Sequence, residues 1–129
     1  MSHPNEELIR TAYDLFGKGD IETLQTLWTD DVTWSISGNS RTSGEHEGAA
    51  AIIAMFGELF TGTEGTFQVE LQSAFANDHT GMSMHKATAT KGGEDYELWT
   101  VLGHTFEGGK VSQLWSFPYD QHLEEKLLA

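Results

Sequence analysis

Apolar residues recur at helical spacing near the start of the chain. From Asn5 to Lys18, the side chains of Leu8, Ala12, Leu15 and Phe16 share one face of a 3.6-residue period, Asn5 can cap, and Glu6 and Glu7 complement the helix dipole. Gly17 and Gly19 break this first helix. Asp20 is placed to cap a shorter second helix whose apolar face is Ile21, Leu24, Leu27 and Trp28, expected to end near Asp30. The period then drops to 2: Val32, Trp34 and Ile36 alternate with Thr33 and Ser35, the pattern of a half-buried strand. A polar loop is expected from Gly38 to Glu47. Helical spacing returns between Gly48 and Phe60, where Ile52, Ile53, Phe56, Leu59 and Phe60 define a third helix that stops at the Gly62 to Gly65 break.

Four β-rich runs follow, at Thr66 to Ala76, Thr80 to Lys91, Asp95 to Phe106 and Lys110 to Phe117, separated by Asn77-Asp78, Gly92-Gly93 and Gly108-Gly109. Turn signals this short between strands predict antiparallel hairpins. Pro118 stops the last strand, and Gln121 to Leu128 is placed to form a short terminal helix. Helices first and a meander of strands afterwards predict an α+β domain whose sheet is covered by those helices. In the run through Tyr96 to Phe106, Leu98, Thr100, Leu102 and His104 point one way while Trp99 and Val101 point the other. Both faces are partly apolar, so both expect cover: one from helices and a pocket, the other from a second subunit.

Composition narrows the range of roles. The 129 residues are expected to form a single domain, residues 1–129, without internal repeat or linker. Asp and Glu number 20 against 7 Lys and Arg, a formal charge of -13, so the average surface field repels phosphate backbones and anionic lipid surfaces. Neither nucleic acid nor membrane is expected as a partner. No cysteine is present, which removes disulfides, thiol nucleophiles and cysteine-ligated zinc together. With no basic start, signal-length apolar stretch or span of roughly 20 apolar residues, the expected location is the cytoplasm.

The order helix, helix, strand, helix and four-stranded meander resembles the nuclear transport factor 2-like superfamily across nearly the whole chain, and most closely its SnoaL-like and ketosteroid isomerase-like branch. Local sequence carries the likeness. Gly19-Asp20-Ile21-Glu22-Thr23-Leu24 with Trp28-Thr29-Asp30-Asp31-Val32-Thr33-Trp34 is similar to the family's second helix and first strand, and Gly44 to Gly48 to its entry into helix three. Gly109-Lys110-Val111 followed by Gln113-Leu114-Trp115 resembles its last hairpin, and Pro118-Tyr119-Asp120-Gln121 the ending of many SnoaL-like proteins. The resemblance implies a cone-shaped α+β fold, with three N-terminal helices packed on a curved, mainly antiparallel sheet around an internal pocket.

Fold alone does not deliver function in a superfamily that holds isomerases, cyclases, hydrolases, dehydratases and non-catalytic members. Ketosteroid isomerase uses an aspartate base with a tyrosine and a protonated aspartate as oxyanion hole, a worked example of tuned acidity. Carried onto this sequence, the resemblance puts Ile36 at the base position and Leu102 at the oxyanion aspartate; only Tyr13 lies near the position of the tyrosine. The same register turns Ser83, His85, Ala87 and Ala89 inward, together with Thr100, His104 and Ser116. His85 is the sharpest catalytic candidate, because its neighbours on that face are small and histidine titrates near neutral pH. The plainer alternative is a structural histidine bonded to the backbone.

Trp34, Ile36, Phe56, Leu98 and Leu102 would make the rest of such a pocket apolar, and Tyr13 can donate a phenolic hydrogen bond into it. His46-Glu47 opens like the zinc signature H-E-x-x-H, but residue 50 is Ala, so no metal is expected there. The glycines lack the spacing of a nucleotide loop, and Glu124-Glu125-Lys126 is expected to be a solvated helix face. The reading is therefore a pocket for a small hydrophobic or amphipathic molecule, needing no cofactor. It serves either an isomerase, cyclase or hydratase-type acid-base reaction with His85 moving the proton, or a non-catalytic binding or dimerisation module. Met82, Met84, Trp99, Val101, Trp115 and Phe117 on the outward face point to a homodimer.

Overall fold

The computed structural model describes residues 3–129. Its elements are α1 (Pro4–Gly17), α2 (Ile21–Gln25), β1 (Trp28–Ile36), β2 (Gly44–Glu47), α3 (Ala49–Gly62), β3 (Gln68–Ala76), β4 (Thr80–Lys91), β5 (Glu94–Glu107), β6 (Lys110–Pro118) and α4 (Gln121–Leu127). The strands form one six-stranded sheet in the order β2-β1-β6-β5-β4-β3. Every pairing is antiparallel except β1 with β6, so the sheet is mixed and the fold is α+β.

Several local expectations change once tertiary contacts are in place. The cap of α1 is His3, whose Nδ1 accepts from the Asn5 amide at 3.0 Å. Asn5 instead lies inside the helix, buried, with Nδ2 donating to the Asn77 and Asp78 carbonyls at 3.1 and 3.3 Å. Helix α2 stops at Gln25 rather than near Asp30, because Trp28 is already paired with Val111 of β6. The stretch expected as a polar loop contains β2, whose four residues pair with Thr33 to Ile36. A hydrophilic strand at a sheet edge has no apolar alternation to betray it. The terminal segment does form a helix, so α4 joins the three helices that precede the meander.

Hairpin chemistry follows the glycine pairs. Gly92 and Gly93 have φ of 59° and 78°, and Gly108 and Gly109 have 59° and 79°. Positive φ at both central residues matches the right-handed strand twist that two-residue hairpins require. Register shifts in the β3–β4 and β5–β6 ladders add bulges, which bend the strands locally.

Helices α1 and α3 cover the inward face of the sheet. Ile9, Val32, Ile52, Phe56, Phe106 and Val111 form the centre of the larger apolar cluster. Gly81 marks a close approach of α1 to the sheet: a Cβ there would lie 2.9 Å from the Phe106 ring and 3.0 Å from Ile9 Cδ1. A second cluster joins Ala87, Ala89, Tyr96 and Leu98 to Leu127 and Leu128 of the C-terminal segment. Those two leucines are sealed, worth about 1.5–3 kcal/mol apiece in burial. Lys91 Nζ donates to the Leu127 carbonyl at 2.6 Å and the Arg41 amide to the Leu128 carbonyl at 2.8 Å, so α4 is tied to both β4 and the β1–β2 connection.

Candidate functional site

The sheet and helices line an apolar cavity of about 130 Å³. Its wall is built from α1, α2, α3, α4 and the inward faces of β1, β3, β4, β5 and β6. Tyr13, Trp34, Ile36, Phe56, His85, Leu98, Thr100, Leu102, His104 and Ser116 all line it. Ser83 stands behind this wall, buried, with its hydroxyl 2.9 Å from the Tyr13 hydroxyl. Period-2 geometry explains the grouping. His85 sits opposite Thr100 and Ser83 opposite Leu102, while Leu102 also faces Ser116, so one pleat face carries all five inward.

The main polar feature is the Tyr13–Ser83–His85 cluster. Tyr13 reaches across from α1 to place its hydroxyl 2.6 Å from His85 Nδ1, with the two rings edge to face at 5.4 Å. Burial pushes the Tyr13 phenol well above its ordinary pKa, against a smaller opposing effect of the Ser83 hydrogen bond, so it keeps its proton. The two contacts are compatible with the phenol donating to Nδ1 along the shorter one and Ser83 donating to the phenolic oxygen. A neutral imidazole that accepts at Nδ1 carries its hydrogen on Nε2. His85 lines the cavity and its Nε2 has no hydrogen-bond partner among the described residues, where His104 Nδ1 is the one sealed side-chain polar atom left unpaired.

Burial lowers the His85 pKa from 6.5 to about 4. The ring is therefore neutral at pH 7, and the expectation of a histidine titrating near neutrality gives way to that of a fixed hydrogen-bond donor. Charging the imidazolium inside an apolar wall costs more than the neighbouring hydroxyls return.

His104 is held differently. Its ring stacks on Phe106 at 6.1 Å with 2° between planes, and burial takes its pKa to about 4, with the Gly81 and Leu102 carbonyls opposing the shift. Neither carbonyl meets Nδ1 at hydrogen-bonding geometry. Trp34 Nε1 donates to Ser116 Oγ at 2.8 Å, which satisfies the indole within the wall. Ile36 and Leu102, at the positions where the isomerase resemblance places carboxyl groups, present hydrocarbon to the cavity. His46 Nε2 meets the Thr42 carbonyl at 2.8 Å.

One ionisable lining residue escaped the sequence reading. Glu124 was expected on a solvated helix face, yet it is partly buried and lines the cavity. The available signal was its i,i+4 relation to Leu128, which puts both on the helix side that faces the sheet. Burial, reinforced by Glu125, raises its pKa from 4.5 to about 7. Thr42 was missed as well, because the connection that carries it follows no hydrophobic period.

Comparison with known proteins places this architecture. Bal32a, from a soil-derived mobile gene cassette, is 30% identical, with a TM-score of 0.91 over 98% of this chain and 97% of that one. TerC, co-crystallised with polyporic acid, shares the fold at 21% identity and a TM-score of 0.86, with 98% of each chain covered. An uncharacterised protein of Mycobacterium tuberculosis is 23% identical over 124 residues, 95% of each chain. The model of the SnoaL-like domain matches residues 9–114, a span that runs from α1 into β6 and contains every cavity residue named above except Ser116, Glu124 and Leu128. On that match, and with the mixed six-stranded sheet of the nuclear transport factor 2-like fold, the chain belongs to the SnoaL-like domain family.

Proposed function

We propose that the cavity takes a small, uncharged, largely apolar molecule carrying a carbonyl or hydroxyl oxygen, and that the chain performs cofactor-independent acid-base chemistry of the isomerase, cyclase or hydratase type on it. The observation that carries this reading is the Tyr13–His85 pair set into an otherwise apolar wall. Small-molecule sites combine a hydrophobic lining with a few placed polar groups in this way. No Lys or Arg lines the cavity among the described residues, so an anionic ligand would lose its hydration without a counter-ion. The room available is close to that of the roughly 150 Å³ apolar cavity known to take benzene, which favours a single ring over a fused system. TerC, co-crystallised with polyporic acid, offers a precedent in architecture alone.

A non-catalytic binding role is the second reading, favoured by the hydrocarbon side chains of Ile36 and Leu102 and by the weak basicity of His85. Both readings share the polar anchor. Titration of cyclohexanone, followed by NMR, should show binding that weakens about fivefold to tenfold in His85→Gln, the worth of one ordinary hydrogen bond. Methylenecyclohexane has the same shape without the oxygen. Equal binding of the two compounds to the native chain would remove His85 as the anchor.

A further inference from the structure

The Tyr13–Ser83–His85 cluster holds no group whose proton affinity suits neutral pH. Four ionisable side chains line the cavity: Tyr13 from α1, His85 from β4, His104 from β5 and Glu124 from α4. The linings from α2, α3, β1, β3 and β6 carry none. Tyr13 holds its proton and both histidines are neutral, so only the Glu124 carboxyl changes charge near pH 7.

Its placement is fixed by the backbone. The Glu124 amide donates to the Asp120 carbonyl at 3.2 Å, its carbonyl accepts from the Leu128 amide at 2.9 Å, and the sealed Leu127 and Leu128 anchor the turn. No described residue hydrogen-bonds or ion-pairs with the carboxyl. The cations packed around α4 are engaged elsewhere: Lys91 on the Leu127 carbonyl, Lys126 on Glu94 at 3.0 Å, and Arg41 on Glu58 at 3.6 Å. The remaining acidic neighbour is Glu125 on the same helix, whose charge disfavours ionisation of Glu124. An unpartnered carboxyl and a neutral imidazole in the wall of one apolar cavity separate two roles by environment.

We propose that Glu124 is the proton-transfer residue of this cavity: its carboxylate takes a proton from the carbon beside the carbonyl of a small neutral ketone or enone, and the acid so formed returns it to carbon. The electrons of the broken C–H bond move onto the carbonyl oxygen, which accepts the hydrogen bond of His85 Nε2–H. They come back when the new C–H bond forms, at the same carbon or further along a conjugated system. Nothing is oxidised, reduced or consumed. The inference rests on the binding mode proposed above, with Glu124 in the catalytic role and His85 holding the oxygen.

Deuterium wash-in at the carbons beside the carbonyl of cyclohexanone in D₂O tests it, with binding of the ketone followed by NMR in the same samples. The native chain should accelerate wash-in with a midpoint near pH 7. Glu124→Gln, which keeps the shape of the side chain, should bind the ketone comparably and lose about 100-fold or more of the rate. Glu125→Gln should keep the activity and move the midpoint lower, since it removes the like charge. His85→Gln should lower the rate without moving the midpoint far. Ketone binding without acceleration, or with acceleration undiminished in Glu124→Gln, overturns the role of Glu124 and leaves the binding mode standing. Absence of ketone binding overturns the binding mode and the proton-transfer role together. A carboxyl ¹³C titration of the native chain is an independent check: a Glu124 midpoint at the ordinary carboxylate value would also overturn the proposal.

Discussion

At the scale of single residues, the site turns on two groups that burial moves in opposite directions. Removing water disfavours the charged form of each, so the imidazole of His85 loses affinity for a proton while the carboxyl of Glu124 gains it. The tautomer of His85 is coupled to its partner: a phenol that donates to Nδ1 leaves the ring hydrogen on Nε2. Nitrogen-15 NMR of the native chain should show a neutral ring protonated at Nε2 throughout pH 6 to 8. In Tyr13→Phe, which removes the phenolic donor, the Nδ1-protonated form should appear. A ring that titrates near its ordinary 6.5 in the native chain would contradict its burial.

At the scale of elements, α4 decides whether the cavity has its carboxyl wall. It is a short helix, so its stability comes from capping and packing rather than from its own hydrogen bonds. Asp120 accepts from the Leu123 amide at 3.0 Å as N-cap. Asp120→Ala should cost about 1 kcal/mol and should loosen α4 ahead of the rest of the fold. Hydrogen exchange checks this: faster exchange at the Glu124 and Leu128 amides, with β4 and β5 unchanged, is the expected pattern. The same dependence on packing explains why α2 gives way to β1 earlier than its helical spacing suggests. Leu27 and Trp28 suit either period, and the Leu27 carbonyl accepts from Val111 of β6 at 2.9 Å.

At the scale of the whole molecule, the outward sheet face and the pH dependence of stability are the open consequences. Met82, Phe117 and Phe75 are 45%, 54% and 62% exposed, with Trp99 and Met84 beside them on the same face. Monomers seldom leave so many large apolar side chains together in water. A homodimer on this face is the expected state in solution. Sedimentation at micromolar concentration should show it, and Phe117→Glu should shift it to monomer while the cavity persists.

His85 and His104 have folded pKa values of about 4 against 6.5, so they bind protons better when unfolded. Their contribution is fully present above 6.5 and is lost as pH falls toward 4, on the order of 3 kcal/mol per ring. Glu124, raised to about 7, acts oppositely: its contribution is present below 4.5 and lost as pH rises through 7. Two buried rings outweigh one partly exposed carboxyl. Urea unfolding should therefore give lower stability at pH 4.5 than at pH 6.5, with the difference reduced in His85→Gln.

Periodicity by itself determined the helices, the long strands and the glycine turns, because each depends on contacts within a few residues. Alternation also put Ser83 and His85 on one face of β4, and Leu98, Thr100, Leu102 and His104 on one face of β5. The family resemblance supplied the direction of that face, which period 2 leaves undetermined. Tertiary structure alone decided the rest. It made β2 from a polar stretch by pairing it with β1, joined β1 to β6 in parallel, and brought Tyr13 against His85 from 72 residues away. It also turned Glu124 from an apparent surface charge into part of a cavity wall. Burial and the distances between remote side chains set proton affinity, and neither is a property of neighbours in sequence.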